Sequence, residues 1–397
     1  MSSSRILLAA ILAVGAATTT PAHAGKPKVL YSFTGAADGS WPSPMVSDGV
    51  SLYGTTQRGA NAGCAISQGC GAIFKFDPTS GSETTLYDFT GGTDGGTPAG
   101  YAGGPPILVG GVLYGTTNFG GATCTFPNGY CGTVYAFNLS SGILTTLQSF
   151  GAGNGGNGYA PNNVIYANGM LFGSLGQVNI NDPVTDSGGL FEMQPGGSGF
   201  TLLYTFPRNS EGSSGEPLLQ FAQDGLIYGV EPGGGSQGYG LIFTIDTATG
   251  AVAILHTFSS SEPDVPEGLA AGNGGIYGTT ASGTGSIFQL NPTDGTITTL
   301  YATPTPNVDP SVQLSIDGAQ LFSGASGGCA KPRNCGGTVF DFDLTSNTYS
   351  TLATFKSKGD YMGGQYPSGL LYQKRTLYGS TDFGGAQGKG VLFSVKP

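Results

Sequence analysis

Leu52-Tyr53-Gly54-Thr55-Thr56 is the stretch on which the reading of this chain turns, because it keeps coming back. It recurs as Leu113-Tyr114-Gly115-Thr116-Thr117, Leu171-Phe172-Gly173, Ile227-Tyr228-Gly229, Ile276-Tyr277-Gly278-Thr279-Thr280, Leu321-Phe322-Ser323 and Leu377-Tyr378-Gly379, seven copies in all. Downstream of each copy stands an apolar pair followed by alternation, first as Ile73-Phe74-Lys75-Phe76-Asp77. Its later copies centre on Tyr135, Phe191, Phe243, Phe288, Phe340 and Phe393, at spacings of 61, 56, 52, 45, 52 and 53 residues. A third landmark, Leu30-Tyr31-Ser32-Phe33, is echoed at Leu86 to Phe89, Leu147 to Phe150, Leu203 to Phe206, Leu255 to Phe258, Leu300 to Thr303 and Leu352 to Phe355. A fixed period of this length is the signature of a repeat architecture.

Each unit reads as four strands. An apolar stretch beginning at a proline (Pro105 to Val109, Pro217 to Phe221) runs into a tight turn such as Asp48-Gly49, Asn168-Gly169, Asp224-Gly225, Asn273-Gly274 or Asp317-Gly318. Such dipeptides favour type I′ hairpins, whose central residues both need positive φ. Then follow the Leu-Tyr-Gly strand, a Gly-rich loop, the Ile-Phe strand, a second turn and the Leu-Tyr-x-Phe strand. Four antiparallel strands per ~50 residues make a propeller blade. The chain starts on a fourth strand (Lys28 to Phe33) and finishes on a third (Gly390 to Val395), so pairing the two closes a ring. The expected fold is all-β: a seven-bladed β-propeller whose N-terminal strand completes the C-terminal blade.

Composition agrees. Of 397 residues, 72 are Gly and 24 Pro, and only 10% are charged, which leaves no material for long helices. Net charge is −10, with no cluster of Lys and Arg, so nucleic acid is not an expected partner. At the N-terminus, Arg5, the apolar run Ile6 to Ala17 and Ala22-His23-Ala24 form an export signal with cleavage expected after Ala24. The apolar run is too short to span a bilayer, which takes ~20 residues. Residues 1–24 are thus read as signal peptide and 25–397 as one propeller domain with no membrane span.

The repeated pattern of Leu-Tyr-Gly-Thr-Thr, then Gly-Gly (Gly120-Gly121, Gly384-Gly385), then Gly-Thr-Val-Tyr or Gly-Thr-Val-Phe, then Thr-Thr-Leu-Tyr-x-Phe resembles the GloVer tandem repeat of exported bacterial proteins. The resemblance covers residues 28 to 397 and implies an exported repeat protein; it brings no catalytic residues with it. A looser likeness to kelch blades stops at Trp41, because no tryptophan recurs per blade.

Six cysteines fall in three close pairs, Cys64 with Cys70, Cys124 with Cys131 and Cys329 with Cys335, each just before a third strand. Disulfides within each loop are expected, in an oxidising compartment. No C-x-x-C spacing or neighbouring histidine marks a metal site, and no cofactor is expected. His256 is the only histidine left after signal cleavage and replaces the tyrosine of the third landmark, which argues against His-based chemistry.

Loops between first and second strands, and between third and fourth, are turn-like, so the long loops gather at the other end of the ring. Aromatic and acidic residues there are the binding candidates: Asp38, Trp41, Asp94, Tyr101, Tyr159, Glu216, Asp264, Asp309, Tyr361 and Tyr366. Aromatics beside acceptors suit sugars or protein partners. The expected function is an exported, monomeric binding or interaction scaffold for a glycan or protein on this face. A carboxylate-dependent glycan-active hydrolase or lyase is the alternative, and turn capping is the competing use for the carboxylates.

Overall fold

A computed structural model of the chain describes residues 25–59, 63–64, 69–98, 104–122, 124, 131–151, 158–178, 188–207, 217–281, 285–303, 310, 313–327, 329, 335–356 and 365–397. Thirty strands form seven antiparallel sheets arranged as a propeller ring, and no helix forms among the described residues.

Strand β1 (Lys28–Ser32) opens the chain. Blade 1 holds β2 (Ser40–Pro42), β3 (Val46–Ser47), β4 (Leu52–Arg58), β5 (Ala72–Asp77) and β6 (Ser82–Asp88). Blade 2 holds β7 (Gly96–Pro98), β8 (Ile107–Val109), β9 (Val112–Phe119), β10 (Thr133–Asn138) and β11 (Ile143–Ser149). Blade 3 is β12 (Tyr159–Ala167), β13 (Met170–Gln177), β14 (Gly189–Met193) and β15 (Thr201–Thr205). Blade 4 is β16 (Leu218–Gln223), β17 (Leu226–Glu231), β18 (Leu241–Asp246) and β19 (Val252–Thr257). Blade 5 is β20 (Pro266–Gly272), β21 (Gly275–Thr280), β22 (Ser286–Leu290) and β23 (Ile297–Ala302). Blade 6 is β24 (Ser315–Asp317), β25 (Gln320–Ala325), β26 (Cys335–Asp343) and β27 (Thr348–Lys356). Blade 7 takes β28 (Gln365–Gln373), β29 (Thr376–Phe383) and β30 (Val391–Val395) from the C-terminus and β1 from the N-terminus.

Closure is therefore as expected: β1 pairs antiparallel with β30, Lys28 opposite Ser394 and Ser32 opposite Val391. It covers an edge that would otherwise template aggregation. One detail differs from the sequence reading. In blade 2 the first strand does not begin at Pro105; Gly96 and Pro98 already pair with Phe119 and Thr117, and the strand is interrupted before β8 resumes. Blade 1 is interrupted in the same way between Pro42 and Val46.

The repeated landmarks have packing causes. The glycine of Leu-Tyr-Gly lies opposite the aromatic of the third strand, Gly54 facing Phe74 and Gly229 facing Phe243. The ring lies flat over that glycine, so a side chain on Gly54, Gly115, Gly173, Gly229, Gly278 or Gly379 would collide with it. Every such aromatic from Phe74 to Phe393 is buried. Blade 6 carries Ser323 instead, and its Phe340 stacks on Tyr349, ring centroids 4.9 Å apart. In all seven blades the register between third and fourth strands shifts beside this aromatic, a bulge that sharpens the twist of the outer strand.

The second threonine of Leu-Tyr-Gly-Thr-Thr is spent on the sheet. Thr56 and Thr381 accept the backbone N–H of Ala72 and Val391 at 3.1 and 3.2 Å, and Thr117 that of Thr133 at 3.0 Å. Amide side chains on the inner strands stitch neighbouring blades. Asn163 donates to the Leu219 carbonyl at 2.6 Å and accepts the Leu219 N–H at 3.1 Å, standing in for a peptide group between blades 3 and 4. Gln220 does the same one blade on, accepting from the Leu269 N–H at 3.3 Å. These residues line a central cavity of about 190 Å³ together with Ile107, Val164, Leu218 and Leu314.

Candidate functional site

The long-loop face is built on a lock between blades. At the start of each first strand stands a residue followed by proline: Trp41-Pro42, Thr97-Pro98, Ala160-Pro161, Glu216-Pro217, Val265-Pro266, Asp309-Pro310 and Tyr366-Pro367. The proline packs on a glycine of the preceding blade, Pro98 on Gly71, Pro161 on Gly132, Pro217 on Gly188, Pro266 on Gly240, Pro367 on Gly337 and Pro42 on Gly390. The N–H of the residue before it donates to that blade as well: Trp41 to the Lys389 carbonyl at 3.0 Å, Thr97 to Cys70 at 2.7 Å, Ala160 to Cys131 at 2.8 Å and Val265 to Tyr239 at 2.9 Å.

This double anchoring forces an unusual backbone. Trp41, Thr97, Ala160, Val265 and Tyr366 all have φ between 50° and 60°, a left-handed conformation that costs non-glycine residues about 1–3 kcal/mol. A residue before proline ordinarily prefers an extended conformation. The structure thus holds a variable side chain at a fixed, strained place in blade after blade. Glu216 and Asp309 share the position in sequence but lie outside the described residues.

At the seam between blades 7 and 1 this arrangement exposes an aromatic strip. Trp41 meets Phe383 edge-on at 5.4 Å between centroids, and Phe383 meets Tyr366 at 6.0 Å. The Arg58 guanidinium lies over the Trp41 ring at 3.8 Å. Tyr366 and Phe383 are 41% and 37% exposed, high for large apolar rings. Beside them, burial pushes the Asp382 carboxyl up to about 6. Arg58 was not among the sequence candidates. Its signal is positional: it stands six residues past Leu52, as Phe383 stands six past Leu377, and both end their strands opposite the start of a first strand.

The acidic candidates divide. Asp38 and Asp94 are 7% and 8% exposed and turn inward. Asp38 accepts the Tyr31 hydroxyl at 3.0 Å, the Thr34 N–H at 2.8 Å and the Thr34 hydroxyl at 2.6 Å. Asp94 repeats this with Tyr87 and with both the N–H and hydroxyl of Thr90. Burial and Asp94 together raise the Tyr87 hydroxyl to about 12. His256 and Glu262 occupy the same arrangement in blade 4, 3.5 Å apart, with Glu262 accepting the Ser259 N–H at 3.1 Å. Asp264 is half-buried one residue before Val265, and Tyr159 one residue before Ala160. Tyr101 and Tyr361 lie outside the described residues.

All three cysteine pairs are disulfides, Cys64–Cys70, Cys124–Cys131 and Cys329–Cys335. Cys70 and Cys131 immediately precede the lock glycines Gly71 and Gly132 and supply the carbonyls that hold Thr97 and Ala160. The bridges therefore brace this face, and they belong to an oxidising compartment. Among the described residues, no three His, Cys, Asp or Glu side chains gather as metal ligands would.

With seven blades and their landmarks in place, the family follows from residues 66–286, which match the Gloeobacter/Verrucomicrobia repeat. The chain belongs to that repeat family. No curated protein matches this member of the family by sequence. Among solved structures it is similar to the extracellular domain of a protein described as a one-component system from B. thetaiotaomicron, with 12% identity and a TM-score of 0.58. That likeness covers 92% of this chain and 39% of that domain, so the chain spans well under half its length. It is also similar to an oligogalacturonate lyase solved with manganese, at 11% identity and a TM-score of 0.55 over 94% of this chain and 89% of that one. The designed protein Ika8 matches at 10% identity and a TM-score of 0.50 over 93% and 99% of the two chains. At such identities these likenesses concern the propeller fold of the repeat family, not its chemistry.

Proposed function

We propose that the protein is an exported binding scaffold whose ligand docks on the long-loop face at the seam between blades 7 and 1. Residues 1–24 serve as the export signal, and the mature domain acts as a monomer. The observation that carries this reading is the strip of Trp41, Phe383 and Tyr366, with Arg58 over Trp41, mounted on backbone that two anchors hold rigid. Exposed rings that are already ordered lose little entropy when a ligand arrives.

A glycan fits this strip better than a protein does. Sugar rings lay their apolar faces on aromatic rings, while hydroxyls reach the polar groups beside them. The strip comprises three rings, smaller than the standard protein interface of ~800 Å² per partner. Screening the mature protein on a polysaccharide array, with turnover assayed on every hit, tests the proposal. Binding without cleavage supports the scaffold; cleavage would favour an enzyme, and silence across glycans with capture of a protein would move the ligand class.

A further inference from the structure

Glu83 breaks a pattern. It sits on β6 opposite Phe76, and the matching positions in blades 2, 4, 5 and 6 carry Leu144, Val252, Ile297 and Tyr349. Leu144 packs against a buried cluster beside Tyr87, as an apolar residue at this place should. Glu83 instead brings a half-buried carboxyl to the seam where β1 closes the ring.

Its surroundings come from three elements. From β1, the Tyr31 hydroxyl interacts with both Glu83 and Asp38. From the loop after β1 comes Asp38 itself, while β6 adds Asp88 and the Thr85 hydroxyl, the latter 3.3 Å from the Glu83 carboxylate. Thr85 also reaches the Ala37 carbonyl of the closing segment at 3.3 Å. Of the nearby cations, Lys75 of β5 acts on Asp48, and Lys389, before β30, lays its stem along Gly35.

Tyr31 owns one hydroxyl proton, and that proton goes to Asp38. Two ionised carboxylates cannot both be satisfied by it. A protonated Glu83 resolves the conflict by donating to the Tyr31 oxygen, so that the proton line runs from Glu83 through Tyr31 to Asp38. We propose that Glu83 is a proton-operated latch on the seam between blades 7 and 1: protonated, it knits β1 to the ring, and ionised, it loosens β1. Burial is the largest influence on its carboxyl, which, with Asp38 and Asp88 adding to the effect, is pushed up to about 7 from an ordinary 4.5.

Because the folded state holds this proton more tightly than the unfolded chain does, the latch contributes fully below about pH 4.5 and its contribution is lost as pH rises toward 7. Glu83→Gln keeps the shape without the titration, and Glu83→Leu copies blade 2. Melting temperatures of wild type and both variants should be compared between about pH 5 and pH 8. The advantage of each variant over wild type should grow by about 3 °C across that range. Hydrogen exchange should show β1 amides losing protection at the upper end in wild type alone, with β17 unchanged. A constant difference between variant and wild type, or β1 protection independent of pH, would overturn the latch.

Discussion

Pro42 of the first blade seats on Gly390 of the last, so close that a methyl group added to Gly390 would stand 2.6 Å from the proline Cδ. The same contact recurs around the ring, and it ties the position of each displayed residue to the neighbouring blade.

Gly390→Ala should therefore cost more than backbone strain alone. Its φ is 96° and the space is filled, whereas Gly49, at 91°, has nothing within 4 Å. Denaturant unfolding should show a loss of about 1 kcal/mol for Gly49→Ala and about 3 kcal/mol for Gly390→Ala. Equal losses would mean that the lock carries no packing energy.

Deleting residues 25–34 removes β1 and bares β30. The truncated protein should aggregate or lose cooperative melting, as seen by light scattering and calorimetry. A soluble protein with an unchanged melting temperature would show that the ring does not depend on its N-terminal strand.

Reduction should act locally. Each bridge closes a loop with a sequence separation of 6 or 7 residues, and the chain-entropy relation gives about 2.4 kcal/mol per bridge. Opening Cys64–Cys70 by paired Ser substitutions should lower stability by up to that amount. Thiol titration of the unreduced, denatured protein should find no free cysteine.

Asp94→Ala should lower stability by about 1–3 kcal/mol, because it strands the Tyr87 hydroxyl and the Thr90 N–H. Ligand affinity measured by titration calorimetry should stay within twofold. A drop in affinity with stability intact would make this carboxylate a ligand contact instead.

The blade was legible in the sequence because its landmarks are local: an aromatic needs a glycine beneath it, and a fixed strand spacing puts Gly54 under Phe74 in every copy. Disulfide pairing was legible for the same reason. The lock between blades was not, since Pro42 and Gly390 lie at opposite ends of the chain and the residue before each proline varies. Asp38 and Asp94 could be read from sequence only as loop acids; what turns them inward is a tyrosine seven residues back and a threonine four back, a spacing whose meaning needs the turn itself. The interruptions of the first strands in blades 1 and 2 carry no periodic signal at all.

The central claim is that the strip at the seam of blades 7 and 1 binds the ligand. Titration calorimetry of a polysaccharide found on the array, against wild type, Trp41→Ala and Tyr366→Ala, with a thermal melt of each, tests it most directly. The account predicts at least a tenfold loss of affinity in both variants, corresponding to about 1.4 kcal/mol or more, with melting temperatures close to wild type. Affinity retained in both variants, or lost only in step with falling stability, would contradict it.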